Sequence, residues 1–153
     1  MINWGILGLG RMGRTFANSI KETSNSKLIS IGSRSKNVFD NFKNNTYENV
    51  ISNKEIDAIY ISSLNNTHVD LVKKVIQEKK FVLCEKPIST TLKDLNSVVT
   101  LYDKKKNYLY EAIAYYCHPQ TLEIINLIKN NEIGEIKSIE CNFSFKAKVK
   151  SSS

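Results

Sequence analysis

Apolar residues along this chain follow three rhythms. Residues 2–7, 28–32, 57–62 and 81–84 are short, nearly continuous apolar runs, and 108–112 reads as one more. Runs of that length predict strands covered on both faces. Between them the period is helical. Residues 11–22 put Met12, Phe16, Ala17 and Ile20 on one face, and 67–79 do the same with Val69, Val72, Val75 and Ile76. Thr91-Leu-Lys-Asp94 forms a capping box for a helix bearing Leu92, Leu95, Val98, Val99 and Tyr102. A weaker helix is expected near 36–43, and the Asn-rich 44–53 reads as loop or a short turn of helix. Buried strands alternating with helices predict a doubly wound α/β domain, a Rossmann-type parallel sheet. In such sheets ligands bind outside the carboxyl ends of the strands.

The third rhythm is a strict alternation. From 139 to 149, Ile139, Cys141, Phe143, Phe145, Ala147 and Val149 share one face, and Glu140, Asn142, Ser144, Lys146 and Lys148 the other. This predicts a strand of an antiparallel sheet with one face in water. A helix over 119–130, with Leu122, Ile125 and Ile128 inward, would lead into it. Two domains are therefore expected: 1–118, the doubly wound sheet, and 119–153, the start of an α+β domain of different architecture. A lone strand exposes an edge. The chain is thus expected to be truncated, unless a homo-oligomer pairs that strand.

Composition narrows the chemistry. At 153 residues, with 41% hydrophobic and 24% charged, the chain is an ordinary globular one. No apolar run approaches a membrane span and no signal peptide is evident, so the expected compartment is the cytoplasm. The net charge of +7 raises nucleic acid as a partner. Yet the lysines come in pairs such as Lys73-Lys74 and Lys79-Lys80 at apparent helix ends, where cations complement the dipole and stay solvated. Neither nucleic acid nor membrane is expected as a partner. Cys84, Cys117 and Cys141 form no metal-binding spacing and read as reduced, mostly buried thiols, so no metal site is expected.

Each strand end then offers a motif. After the first comes Gly8-Leu-Gly-Arg-Met-Gly13, a G-x-G-x-x-G between strand and helix, the context in which it binds a dinucleotide. After the second comes Ser33-Arg34-Ser35, with arginine where NAD-binding domains carry an acid. This favours the 2′-phosphate of NADP over NAD, although Arg34 could equally be a solvated loop residue or stack on adenine. The third strand ends in Ser62-Ser-Leu-Asn-Asn-Thr-His68, and the fourth in Glu85-Lys86-Pro87. A lone lysine is ordinarily a solvated surface charge, and His68 and His118 could simply occupy helix starts.

Taken with Glu111-Ala-Ile-Ala-Tyr-Tyr-Cys-His-Pro-Gln120 and Ile133-Gly-Glu-Ile136, these motifs resemble, in order and spacing, the N-terminal half of the Gfo/Idh/MocA oxidoreductases. The 111–120 segment is similar to the branch with NADP-dependent xylose dehydrogenases and dihydrodiol dehydrogenases. The resemblance implies that Gly8, Leu9, Gly10, Arg11 and Met12 hold the pyrophosphate, and Ser33 and Arg34 the adenosine ribose or its phosphate. It implies that Ser62, Ser63, Leu64, Asn65 and His68 line the nicotinamide half, with Glu85 and Lys86 at the nicotinamide ribose and ring. Lys86 would be the catalytic residue, hydrogen-bonded to a substrate hydroxyl, and Tyr116 would border the substrate. The implied activity is hydride transfer between nicotinamide and a CH–OH group of a sugar, polyol or cyclic diol. The resemblance makes 1–118 the NAD(P)-binding domain and 119–153 the start of the substrate and oligomerisation domain, whose Asp-x-x-x-His motif, or tyrosine, would lie beyond Ser153. The alternative is a nucleotide-binding module or partner subunit without turnover of its own.

Overall fold

A computed structural model of the chain describes residues 1–34, 39–102 and 108–144. The chain divides into two compact units, Met1–Ile113 and Ala114–Ser153. The first is built on β1 (Ile2–Leu7), α1 (Arg11–Lys21), β2 (Ser26–Gly32), β3 (Asn44–Asn45), α2 (Tyr47–Ser52), β4 (Ala58–Ile61), α3 (His68–Gln77), β5 (Phe81–Cys84), α4 (Leu92–Val99) and β6 (Leu109–Glu111). The strands form one sheet in the order β3-β2-β1-β4-β5-β6, and every pair is parallel. The order reverses between β1 and β4, which opens a crevice at their carboxyl ends.

Period-two alternation within the apolar runs gives the sheet two buried faces. Leu7, Ile59, Ile61, Val82 and Cys84 pack with Val50, Leu71, Val72, Val75 and Val98 from α2, α3 and α4. On the other face Ile6, Leu28, Ile31 and Tyr60 pack with Ala17 and Ile20 of α1. Each such side chain contributes ~1.5–3 kcal/mol by leaving water. Phe16 bridges Trp4 and Tyr60, with ring centroids at 5.1 and 4.1 Å, beneath the first strand-to-helix turn.

The Asn-rich stretch is more ordered than its composition suggests. Asn44 and Asn45 join the sheet through their main chain, and the Thr46 hydroxyl caps α2 by accepting the Asn49 N–H at 3.1 Å. Main-chain ladders at a sheet edge do not depend on apolar side chains, so periodicity misses them. The helix expected near 36–43 lies partly outside the described residues; its described part is a turn, in which the Phe42 N–H donates to Phe39 O. Phe39 is instead drawn into the core beside α1, with the Lys21 ammonium over its ring and in contact with Asp40.

The capping box at Thr91 is present: its hydroxyl accepts the Asp94 N–H at 3.1 Å. The apolar face expected behind it is mostly not buried. Only Val98 of this short helix, which packs on α3, reaches the core, and Leu92 and Val99 are exposed.

In the second unit a 3-10 turn over Ala114–Cys117 leads into α5 (Pro119–Lys129). Pro119 occupies the first turn and His118 is the N-cap, its Nδ1 accepting the Gln120 N–H at 3.2 Å. None of the apolar residues expected inward on α5 is buried, and Leu122 and Ile128 are exposed. Of the alternating strand expected over 139–149, residues 139–144 take no strand conformation and the rest lie outside the described residues. Alternation specifies the face a strand would bury; the ladder itself needs a second strand to receive it.

Candidate functional site

The crevice begins at the first glycine. Gly8 has φ of 103°, which L side chains rarely adopt, and a Cβ there would lie 2.7 Å from the backbone of Ser62 and Ser63. The turn is therefore pressed against the end of β4. Ser62 Oγ seals the contact by donating to Gly8 O at 2.8 Å. Gly13 lets α1 seat just as closely: a Cβ would fall 2.1 Å from Gly8 O. Gly10 differs from both, because nothing lies within 4 Å of where its Cβ would be. It is the N-cap of α1, makes no side-chain cap hydrogen bond, and is followed by no acid in the first turn. Open space at an uncapped helix N-terminus, with a backbone donor set and a positive dipole end, suits a diphosphate. The residues present thus fit the phosphate portion of a dinucleotide.

Around this turn the other expected residues take distinct positions. Arg11 and Met12 are exposed at the start of α1, whereas the Leu9 side chain is buried in the core and leaves only its backbone to the crevice. Ser33 follows β2, its N–H donating to Asn45 O at 3.1 Å, and Arg34 comes next, exposed. Ser63 is half-buried, its hydroxyl 2.7 Å from that of Thr67, while Leu64 and Asn65 are exposed.

His68 does not line the open crevice. It is fully buried, with Nδ1 2.8 Å from Pro87 O and Nε2 3.2 Å from Ser63 O. Both ring nitrogens therefore meet backbone carbonyls, which ties the loop after β4 to the loop after β5. The helix-start reading of His68 is right in position, yet its side chain turns inward.

The loop after β5 carries the charged pair. Glu85 accepts the Tyr60 hydroxyl at 2.5 Å. Burial, followed by the Glu85 carboxylate, pushes the Tyr60 pKa upward, so the phenol keeps its proton and remains the donor. Pro87 follows a cis peptide bond, and the Ile88 N–H donates to Glu111 Oε1 at 2.9 Å. Lys86 is exposed, and no partner for its ammonium is found among the described residues. Tyr116 lies in the second unit and is exposed.

Sequence reasoning missed Tyr60, Glu111 and Lys80. A tyrosine inside the apolar run Ala58-Ile-Tyr-Ile61 was the available signal for the first, since a buried phenol needs a partner. Lys80, expected to be solvated, is 5% exposed and donates to Asn53 O at 2.6 Å and Ile56 O at 2.7 Å. The cysteines also differ from expectation: Cys84 is buried, but Cys117 and Cys141 are exposed. Among the described residues there is no cluster of metal-ligating side chains, and no helix is long and apolar enough to cross a membrane.

Comparison with known proteins agrees with this geometry. The family model described as oxidoreductase family, NAD-binding Rossmann fold (GFO_IDH_MocA) matches residues 2–113. The trans-1,2-dihydrobenzene-1,2-diol dehydrogenase of Danio rerio is 24% identical over 152 residues, covering 93% of this chain and 46% of that protein. The D-xylose 1-dehydrogenase (NADP(+)) 2 of Haloferax volcanii is 32% identical over 101 residues, covering 66% and 31%. Among solved structures, a probable dehydrogenase from Thermotoga maritima superposes with a TM-score of 0.79 at 25% identity, covering 87% of this chain and 42% of that one. The chain thus spans less than half the length of these relatives. Sheet order, glycine turn and family match together place this chain in the Gfo/Idh/MocA oxidoreductase family, with its NAD-binding Rossmann fold.

Proposed function

We propose that this chain is the nucleotide-binding half of an NADP-dependent dehydrogenase acting on a CH–OH group of a sugar, polyol or cyclic diol. What supports this reading is contiguity. The glycine turn, the 62–65 loop and the 85–88 loop follow adjacent strands, and they are joined by the Ser62–Gly8 and His68 hydrogen bonds. In the proposal, Gly8, Leu9, Gly10, Arg11 and Met12 hold the pyrophosphate through backbone donors and the dipole of α1. Ser33 and Arg34 take the adenosine ribose, Arg34 with its 2′-phosphate. Ser62, Ser63, Leu64 and Asn65 border the nicotinamide, and Glu85 meets its ribose. His68 acts from behind these loops. When bound, the nicotinamide ring supplies or accepts the hydride.

The protein's own share of the chemistry falls at the substrate oxygen. In oxidation the hydroxyl proton passes to solvent as hydride leaves the carbon, so negative charge develops at that oxygen. The Lys86 ammonium, having no partner among the described residues, has three N–H groups to offer that oxygen. The names of the Danio rerio and Haloferax volcanii relatives motivate the substrate class and the NADP preference. Tyr116 is proposed at the substrate's edge.

Titration with both cofactors tests the reading. Tighter binding of NADP(H) than NAD(H) is expected. Arg34→Ala should weaken NADP(H) by roughly 10- to 100-fold, the range of one or two charge-assisted hydrogen bonds, and leave NAD(H) nearly unchanged. A tighter grip on NAD(H) in the unsubstituted chain overturns the NADP assignment. Cofactor binding without turnover on any aldose or diol would instead favour a non-catalytic nucleotide-binding module.

A further inference from the structure

The 85–88 loop is fastened at three of its four residues, each time by a residue of another element. Tyr60 of the interior strand β4 donates to the Glu85 carboxylate. His68, opening α3, bonds the Pro87 carbonyl and, through its second nitrogen, the Ser63 carbonyl. Glu111, ending β6, receives the Ile88 N–H. The residue left without such a bond, among the described residues, is Lys86.

We infer that Tyr60, His68 and Glu111 are positioning residues that fix the backbone on both sides of Lys86, so that the ammonium is presented from one place. The inference rests on the reading of Lys86 as the residue at the substrate oxygen. Loops ordinarily move, and a charged side chain on a moving loop is a poor positioner. Fastening Glu85, Pro87 and Ile88 leaves Lys86 only its own side-chain torsions. The partners suit the task chemically. The Tyr60 phenol stays protonated and so keeps donating, and the Glu111 carboxylate accepts from a main-chain N–H that no strand ladder would otherwise satisfy. A neutral imidazole at His68 donates to one carbonyl and an imidazolium to both, but in either state the ring fills the space between the two loops. A misplacement on the order of 1 Å costs a positioned catalytic group about a hundredfold in rate, which is why three anchors on so short a loop matter.

Glu111 offers the clean test because it is exposed, so replacing it leaves the core intact. Glu111→Gln keeps a side-chain oxygen as acceptor, and Glu111→Leu removes it. Two quantities are measured: hydrogen exchange of the Ile88 amide by NMR, and acylation of Lys86 by acetic anhydride with and without saturating NADP. In Glu111→Leu the Ile88 amide should exchange about tenfold faster, the effect of losing one charge-assisted hydrogen bond, and in Glu111→Gln within about threefold of the unsubstituted chain. NADP should protect Lys86 from acylation in the unsubstituted chain and in Glu111→Gln, and clearly less in Glu111→Leu at equal cofactor occupancy. His68→Phe should behave like Glu111→Leu; if it does not fold, the Glu111 pair decides. Equal exchange and equal protection in Glu111→Leu and the unsubstituted chain overturn the inference. Failure of NADP to protect Lys86 even in the unsubstituted chain overturns the hydride-site reading instead, and the exchange rates then still decide whether Glu111 holds the loop.

Discussion

Lys80 and Lys86 stand at opposite ends of β5 and meet opposite surroundings. Lys80 enters the strand from a buried position, with its ammonium against the carbonyls of Asn53 and Ile56. Lys86 leaves the strand into solvent, its backbone neighbours fastened and its ammonium without a partner among the described residues. The first uses its donors to close the turn before β4, capping the buried Ile56 carbonyl and sharing Asn53 O with the Ile56 N–H. The second leaves its donors open, as the proposed function requires. On that proposal the same side chain serves architecture at the amino end of the sheet and chemistry at the carboxyl end, and donor occupancy distinguishes the two roles better than charge does.

The sharpest way to break this contrast is to remove each ammonium in turn. Lys86→Ala should reduce turnover on the responsive aldose or diol by 10²- to 10³-fold, about 2.7–4 kcal/mol of transition-state stabilisation, with the urea midpoint unchanged. Steady-state kinetics beside a denaturation curve checks both halves, and activity that survives the substitution removes Lys86 from the mechanism. Lys80→Met should do the reverse. It strands the buried Ile56 carbonyl, although Asn53 O keeps the Ile56 N–H, and should cost ~1–3 kcal/mol of stability, while the fraction that remains folded binds NADP(H) with unchanged affinity.

A smaller effect separates the two ends by pH. Burial, aided by the Glu111 and Glu85 carboxylates, pushes the Cys84 thiol up to about 12 from 9.0. Between those values the unfolded chain has released this proton and the folded chain still holds it, so stability falls as pH rises above about 9, by at most ~1.4 kcal/mol per pH unit. Lys80 works in the opposite sense. Burial lowers its pKa from 10.5, so in the window below 10.5 the unfolded chain holds the extra proton and stability gains as pH rises. Urea unfolding at pH 8, 9 and 10 should therefore show a shallower decline in Cys84→Ala and a steeper one in Lys80→Met. Parallel declines in all three proteins would mean that neither group carries the dependence.

Much of the architecture was legible because it depends on local pattern. Apolar runs marked β1, β2, β4 and β5; the glycine motif marked its turn; and Thr91 with Asp94 marked the start of α4. What escaped depends on contacts between distant residues. Two asparagines paired as β3 because a sheet edge needs only main chain, and Phe39 turned into the core rather than onto a helix. The candidate site divides in the same way. Gly8, Gly10, Gly13 and the Glu85-Lys86-Pro87 run could be read from motif and position. The inward turn of His68, the Tyr60 bond to Glu85 and the Glu111 bond to Ile88 could not, because each spans elements whose proximity only the folded sheet creates. Lys80 was misread as solvated because it was read with Lys79 as one pair at a helix end; Lys79 is exposed there, but Lys80 already leads into β5 and is buried.

The placement of Arg34 has a consequence for redesign. It sits at the surface just beyond β2, whose end is secured by main-chain bonding of Ser33 to Asn45, while the diphosphate turn is pressed between β1 and β4. The parts that would choose between cofactors are thus separate from the parts that would grip them. Exchanging Arg34 for an acid disturbs no packed contact among the described residues, whereas any change at Gly8 or Gly13 collides with backbone. If Arg34 makes the choice proposed for it, one substitution there should change the preferred reductant while the rest of the frame stays as it is.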